Sequence, residues 1–571
     1  MDTVLHNSLT TINPVTETPI QTYPIATPDA IKEAVCFSRE AFKQWKTTSL
    51  EQRCQFLKQL AALLAQQADA LAGIIATETG KSVAEALESD VAATLTLLRY
   101  YAKHGKRFLS PKTVIADSTT HLTGVRHQIA YQPRGVIGVI SPWNYPLSIP
   151  ASGVVTALLT GCAVVLKPSE LTPETGRKLV NLIQAALAAE GYSDDLQQRL
   201  VQCCIGNGET GKALIESDID GLVFTGSSSV GQKIQARLAE RNIWYSVELG
   251  GNDAMLVLPD INHPEAMDEA LSYAVWGRLL NAGQTCAAVK RLFLPRAQNP
   301  GQNSDKESEQ NSGQESAWLA RLKQKFEAVI QNQKDNPDYL GPLIHEKQLA
   351  LVEAQVSDAL SKGAVCLVGG YRLPRTGYYY APTVLYNISA QSRVSTEEVF
   401  GPVLSVYFYD SVDDAVASIN QTNLKPANQK QQAYGLTASV FSGNQSQAVH
   451  VASQLEAGTV TANGLGLINY AMPSVPWAGW KASGSGISHG EAALQEMSLK
   501  QVQSRNPLFV SQYSLSKKIH FGLKPAWHFT KNADSGAKNR AKAMVAIASG
   551  QWFNPWHWVV LLQNTFLIKR L

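Results

Sequence analysis

Two periods of apolar residues divide this chain. From residue 28 to about 105 they recur every three or four positions, as in PDAIKEAVCFSREAFKQW and LEQRCQFLKQLAALLAQQADALAGIIATETG. That spacing predicts amphipathic helices, with Gly80 as a stop. Around 128 the texture changes to short apolar runs between turns: 136–141 (VIGVIS), 163–167 (AVVLK), 201–206 (VQCCIG), 221–225 (GLVFT), 244–249 (WYSVEL) and 254–258 (AMLVL). Helical stretches at 173–191 and 229–241 separate several of them, which predicts an α/β domain on a parallel sheet. A second α/β region follows. It begins with a helix at about 264–280 and a strand near 291–294. Helices at about 316–333 and 346–362 come next, then the strands AVCLVGG and PVLSVYFY. After the strand near 291–294, residues 298–316 carry no aliphatic or aromatic residue and read as a flexible surface insertion.

Composition adds exclusions. Seven cysteines among 571 residues, scattered and odd in number, form neither a disulfide framework nor a zinc spacing, so no metal site is expected. Reduced thiols suit a cytoplasmic setting. The N-terminus lacks the basic and apolar regions of a signal peptide, and no run reaches membrane-span length. Net charge is +3, yet residues 507–571 alone carry +8, which leaves −5 on the residues before them. That tail also holds Trp552, Trp556 and Trp558 ahead of an apolar run and Lys569–Arg570. Aromatic and basic residues together suit peripheral contact with a membrane surface through the tail. Nothing points to nucleic acid.

Candidate chemistry gathers at strand ends. Cys286 sits in NAGQTCAAVKR, and a thiol nucleophile needs a base and an oxyanion stabiliser. Asn144 follows the strand 136–141 and offers a carboxamide donor. Glu248 ends the strand 244–249 before two glycines and offers a general base. GLVFTGSSSVGQ runs from a strand into a helix N-terminus, a setting that favours pyrophosphate, although it lacks the GxGxxG spacing. Lys167 and Glu170 follow another strand, where a carboxylate can accept from ribose hydroxyls. EEVFGP (397–402) offers an acid and an aromatic ring for a ribose and a flat ring.

Taken singly, each of these is also read as an ordinary turn, cap or core residue. Their order is specific: PWN (142–144), KPSE (167–170), FTGS (224–227), ELGG (248–251), NAGQTC (281–286), EEVFGP (397–402) and SGSG (483–486). Over about 12–505 the chain resembles the NAD(P)-dependent aldehyde dehydrogenase superfamily. The resemblance implies Cys286 as nucleophile, Glu248 as the base that activates water, and the Asn144 side chain with the Cys286 N–H as oxyanion donors. It implies cofactor contacts from Trp143, Lys167, Ser169, Glu170, Gly226, Ser227, Gly231, Leu249, Glu398 and Phe400. The implied fold is a Rossmann-like NAD-binding domain (1–118 and 137–254) and an α/β catalytic domain (255–479). A small β extension (119–136 and 480–505) would join subunits into a homodimer or homotetramer, and the basic aromatic tail (507–571) lies outside the family pattern.

Glu170 favours NAD, because it would repel a 2′-phosphate; Lys167 keeps NADP open. Leu280 stands directly before Asn281, where relatives that take succinate semialdehyde often carry Arg, so an apolar aldehyde is expected. A succinate-semialdehyde-type enzyme, a coenzyme A-acylating relative and a non-catalytic relative are the alternatives. Departures from the family pattern are Asn252, where many relatives have Lys, and Trp477 with Ala478 in PWAGWKASGSG.

Overall fold

The computed structural model describes residues 8–115, 125–296, 304–336, 338–421 and 433–505, without the side chains of 304–313. The chain begins with an antiparallel hairpin of β1 (Ser8–Ile12) and β2 (Pro19–Pro24). Helices follow at Pro28–Trp45, Leu50–Gln66, Ala68–Thr79 and Ala93–Leu109, in the region read as helical. Their ends carry local signals. Thr27 accepts from Ala30 N ahead of Pro28, and Ser49 forms a capping box with Gln52. Gly80, at φ +76°, ends the third helix. A Cβ there would lie 2.6 Å from the Pro342 ring, so the stop is also a close approach.

By contacts the chain divides into two units, one of 1–109 and 133–499, the other of 110–132 and 500–571. In the smaller unit, β3 (Lys112–Thr113) pairs with β4 (Arg126–Gln132). The last strand, described below, lies on the other side of β4.

The larger unit holds two large sheets. Strands β5 (Val136–Ile140), β6 (Ala163–Lys167), β7 (Val201–Cys203), β8 (Gly221–Thr225) and β9 (Trp244–Glu248) are parallel, in the order β9-β8-β5-β6-β7. The chain starts at the centre, moves out to β7, then crosses over to β8. Such a switch point places a ligand crevice beyond the carboxyl ends of the strands. PWN, KPSE, FTGS and ELGG all begin at or just beyond those ends. β5 and β6 are buried along their whole length, as strands covered on both faces must be.

The second sheet uses β10 (Ala254–Val257), β11 (Arg291–Pro295), β12 (Val365–Val368), β13 (Thr383–Tyr386), β14 (Val403–Tyr409), β16 (Thr437–Phe441) and β17 (Thr459–Ala462), in the order β12-β13-β14-β11-β10-β16-β17. Only β12 runs antiparallel to its neighbour. A short strand β15 (Tyr434–Gly435) pairs with β18 (Trp480–Lys481). β19 (Gly484–Ser485) then adds antiparallel to β9, and β20 (Leu499–Arg505) joins β4.

Two boundaries differ from expectation. The small sheet uses 112–113, 126–132 and 499–505, whereas 480–498, expected in the extension, belong to the larger unit. SGSG explains this: Gly484 (φ +124°) and Gly486 (φ +103°) let the backbone lie so close to β9 that a Cβ on Gly484 would meet Val247 O at 2.1 Å. The helix expected from about 316 begins at Ser304 and runs to Asp335, so 304–316 is helical rather than an irregular insertion. Residues 297–303 lie outside the described residues, as does the tail from 506.

Candidate active site

Cys286 lies in the loop between the helix Pro264–Leu279 and β11. The turn Leu280–Gly283 carries three successive positive φ angles: Asn281 (+54°), Ala282 (+53°) and Gly283 (+75°). Such angles cost on the order of 1–3 kcal/mol for a non-glycine residue and persist only where the surroundings impose them. Here they do. The Gln284 amide donates to Asn281 O and Pro342 O and accepts from Ile344 N. Asn281 Nδ2 donates to Asn144 O at 2.9 Å, and its backbone N–H donates to Glu85. Gly283 is obligatory, because a Cβ would lie 2.4 Å from Gly401 O. Thr285 Oγ1 and Tyr145 OH share a hydrogen bond of 2.6 Å.

Cys286 and Glu248 line one cavity of about 200 Å³. Its aromatic walls are Tyr145, Trp276, Tyr470 and Trp477, with Ile149, Leu280, Leu467 and Ile468 between them. Lys, Arg and His are absent from that lining among the described residues, and its charged members, Glu88 and Glu248, are both acids. Trp477, where the sequence departs from the family pattern, is fully buried and packs edge-to-face on Tyr470 at 5.3 Å. Trp276 lines the cavity while remaining 47% exposed.

Burial dominates the titration of both groups. It pushes the Cys286 thiol up to about 12, with Lys290 the strongest opposing influence. It carries the Glu248 carboxyl from 4.5 to about 7, partly offset by a hydrogen bond donated from Ser488. Ser488 was not evident in the sequence. It lies 240 residues from Glu248 and reaches it only because β19 pairs with β9.

Asn144 is buried, but it does not line the cavity. Its Nδ2 donates to Gln284 O at 3.0 Å, which leaves one amide N–H. Its carbonyl accepts from Lys81 Nζ at 2.8 Å. Lys81 pairs with Asp90 at 3.0 Å, both completely buried, and Asp90 also accepts from Leu147 N and Ser148 N at the start of the buried helix Ser148–Leu159. Asp90 sits in a π-helical turn, Leu87–Ala92, whose Glu88 and Ser89 line the cavity. Sequence reading missed this buried pair as well.

The residues expected at the cofactor fall into pairs. Lys167 Nζ meets Glu170 Oε2 at 2.9 Å. Ser169 Oγ accepts from Leu171 N, so it shapes this loop. Gly226 N donates to Glu248 O, and Ser227 begins the helix Ser228–Glu240 without a side-chain cap. Gly231 packs on Leu249, where a Cβ would lie 2.2 Å from a methyl, so this pair sets how closely helix and strand approach. Trp143 and Phe400 meet edge-to-face at 5.5 Å. Glu398 accepts from Gly251 N at 3.2 Å and lies 3.6 Å from Lys290 Nζ. A helix N-terminus for phosphates and carboxylates for ribose hydroxyls, at a switch point, fit a nicotinamide dinucleotide. No cluster of three metal-ligating side chains occurs among the described residues.

Comparison with known proteins agrees with this chemistry. The model of the "Aldehyde dehydrogenase family" matches residues 3–502. A protein of Mycobacterium ulcerans, provisionally named succinate-semialdehyde dehydrogenase [NADP(+)] 2, is 31% identical over 483 residues, 83% of this chain and 84% of that one. The 4,4′-diapolycopene aldehyde oxidase of Methylomonas sp. is 30% identical over 550 residues, 96% of each chain. Among solved structures, an NAD+ complex of aldehyde dehydrogenase from Bacillus cereus superposes with a TM-score of 0.74 at 28% identity, covering 88% of this chain and 93% of that one.

Proposed function

The chain belongs to the aldehyde dehydrogenase family, an NAD(P)-dependent oxidoreductase acting on aldehydes, and from that premise we propose that it oxidises an extended apolar aldehyde to the carboxylic acid. The observation that carries this reading is the wall around Cys286. It is aromatic and aliphatic, offers no cation, and holds Leu280 beside the nucleophile loop. A substrate carboxylate would be stripped of water there with no cationic partner and would face Glu88 and Glu248. The relative that matches over 96% of both chains is named for a diapolycopene aldehyde, not for succinate semialdehyde.

The residues divide the work. Cys286 Sγ attacks the carbonyl carbon, and its proton passes to Glu248. Asn144 Nδ2 and Cys286 N–H donate to the oxyanion that forms. NAD(P)+, when bound, accepts the hydride equivalent. Lys167 and Glu170 hold the adenosine ribose, Gly226 and Ser227 the pyrophosphate, and Glu398, Phe400 and Trp143 the nicotinamide side. Glu248, once ionised, takes a proton from the water that releases the acyl group from sulfur. That step favours hydrolysis over transfer to coenzyme A, which needs no such base. The Lys167–Glu170 pair favours NAD, since the carboxylate would repel a 2′-phosphate. Formation of reduced nicotinamide with hexanal, with and without coenzyme A, tests the reading. The signal should need no coenzyme A and should vanish in Cys286→Ala; dependence on coenzyme A would refute the hydrolytic step.

No single helix among the described residues is long and apolar enough to cross a membrane. The tail 507–571 is proposed to touch a membrane surface peripherally, on its charge and its tryptophans. Liposome flotation of the whole protein against a form with Trp552, Trp556 and Trp558 changed to serine tests this, and equal flotation of the two would refute it.

A further inference from the structure

Lys290 lies four residues past Cys286, and its side chain is 1% exposed. A lysine that deep is costly unless its ammonium is fully partnered. Its partners are all functional. Nζ donates to Thr285 O at 3.2 Å and to Cys286 O, and it faces Glu398 Oε1 at 3.6 Å. The ammonium thus makes two hydrogen bonds to the loop carbonyls and one ion pair with Glu398.

The Thr285 carbonyl and the Cys286 N–H belong to one planar peptide group. A cation at the oxygen end of that amide fixes the plane and draws charge from the nitrogen, which strengthens the N–H as a donor. Among the described residues the Cys286 N–H makes no hydrogen bond of its own. It is a donor held in place from behind and left free in front.

We propose that Lys290 is a positioning residue of this site: its ammonium, anchored on Glu398, locks the Thr285–Cys286 peptide so that the Cys286 N–H is aimed at the reacting oxygen and the thiol is held beside one buried positive charge. The proposal rests on the reading of Cys286 as nucleophile and oxyanion donor. Glu398 also contacts the Gly251 N–H, so one carboxylate links the nucleophile loop to the wall expected at the nicotinamide ribose. A purely structural role, with the lysine stem filling space and the ammonium satisfying loop carbonyls, would work without affecting the thiol.

The charges that act on Cys286 are Lys290, Glu398, Glu248 and Asp253, and Arg278 acts in turn on Glu398. Lys290 opposes the upward push of burial on the thiol, and Glu398 adds to it. The test is the pH profile of Cys286 alkylation by iodoacetamide, followed by mass spectrometry of the peptide in the full-length protein. Lys290→Met should shift the profile upward by about one pH unit or more. Glu398→Gln, which leaves the ammonium unneutralised, should shift it downward. In Lys290→Met, kcat should also fall roughly 10- to 100-fold with little change in aldehyde KM, as when an oxyanion donor is misaligned.

An unshifted alkylation profile in either variant overturns the proposal, even where the melting temperature falls. If Lys290→Met does not fold, the downward shift in Glu398→Gln carries the test alone. Alkylation needs no substrate, so the two failures separate. Wild-type protein that oxidises aldehydes while both variants keep an unshifted profile refutes only the role of Lys290. Shifted profiles in a protein that oxidises no aldehyde support Lys290 and refute the proposed reaction.

Discussion

In the proposed reaction, the burial of the Glu248 side chain would bear on both activity and stability. Its carboxyl ionises near 7 instead of 4.5 because burial penalises the charge. Only the ionised form can take a proton from water, so acyl release should accelerate as pH rises through about 7. Glu248→Gln should lose roughly 100-fold or more in turnover and flatten that rise, as read from initial rates across pH. Stability runs the other way. Between 4.5 and about 7 the folded chain keeps a proton that the unfolded chain has lost, so folding weakens as pH rises through that window. The melting temperature of Glu248→Gln relative to wild type should therefore climb between about pH 5 and about pH 8. Asn144 gives a second test at this scale. Asn144→Ala should lower kcat roughly 100- to 1000-fold, with intact binding of NAD measured by tryptophan fluorescence. A smaller effect would show that the Cys286 N–H suffices.

Among the elements, the loop 280–286 and the π-helical turn 87–92 hold the site. The Lys81–Asp90 pair ties them to the Asn144 loop through the Asn144 carbonyl and the N-terminal turn of the helix Ser148–Leu159. Asp90→Asn leaves an ammonium buried without its partner, which should cost about 3–5 kcal/mol in urea denaturation. Here the limits of sequence reading are physical. Glu248 and the other strand-end residues were legible because each lies in a short contiguous motif at the end of a strand with a strong apolar pattern, and Cys286 because it lies in the contiguous motif NAGQTC. Lys81, Asp90, Ser488 and Lys290 were not. Their roles depend on partners up to 240 residues away, and nothing in their local pattern separates them from solvated charges or ordinary serines. The family resemblance places the β19 segment in the extension, and a two-residue strand beside glycine has no periodicity to correct it.

For the whole molecule, the strand β20 matters most. All seven of its residues are exposed, and it lies at an edge of its three-stranded sheet. An unprotected edge invites a further strand. This would suit the homodimer or homotetramer that the family resemblance implies, and Val502→Pro should reduce the sedimentation coefficient toward that of a monomer if β20 builds the contact. Equal sedimentation would place the contact elsewhere. The apolar cavity, the exposed Trp276 and the proposed membrane contact of the tail are consistent with a substrate of low water solubility.

The most direct test of this account is a side-by-side determination of kcat/KM for decanal and succinate semialdehyde, from the absorbance of reduced nicotinamide in wild-type protein. A cavity without a cation should favour decanal by roughly 100-fold or more. A preference for succinate semialdehyde would contradict the account, because the walls around Cys286 would then accept a charge for which they hold no cation.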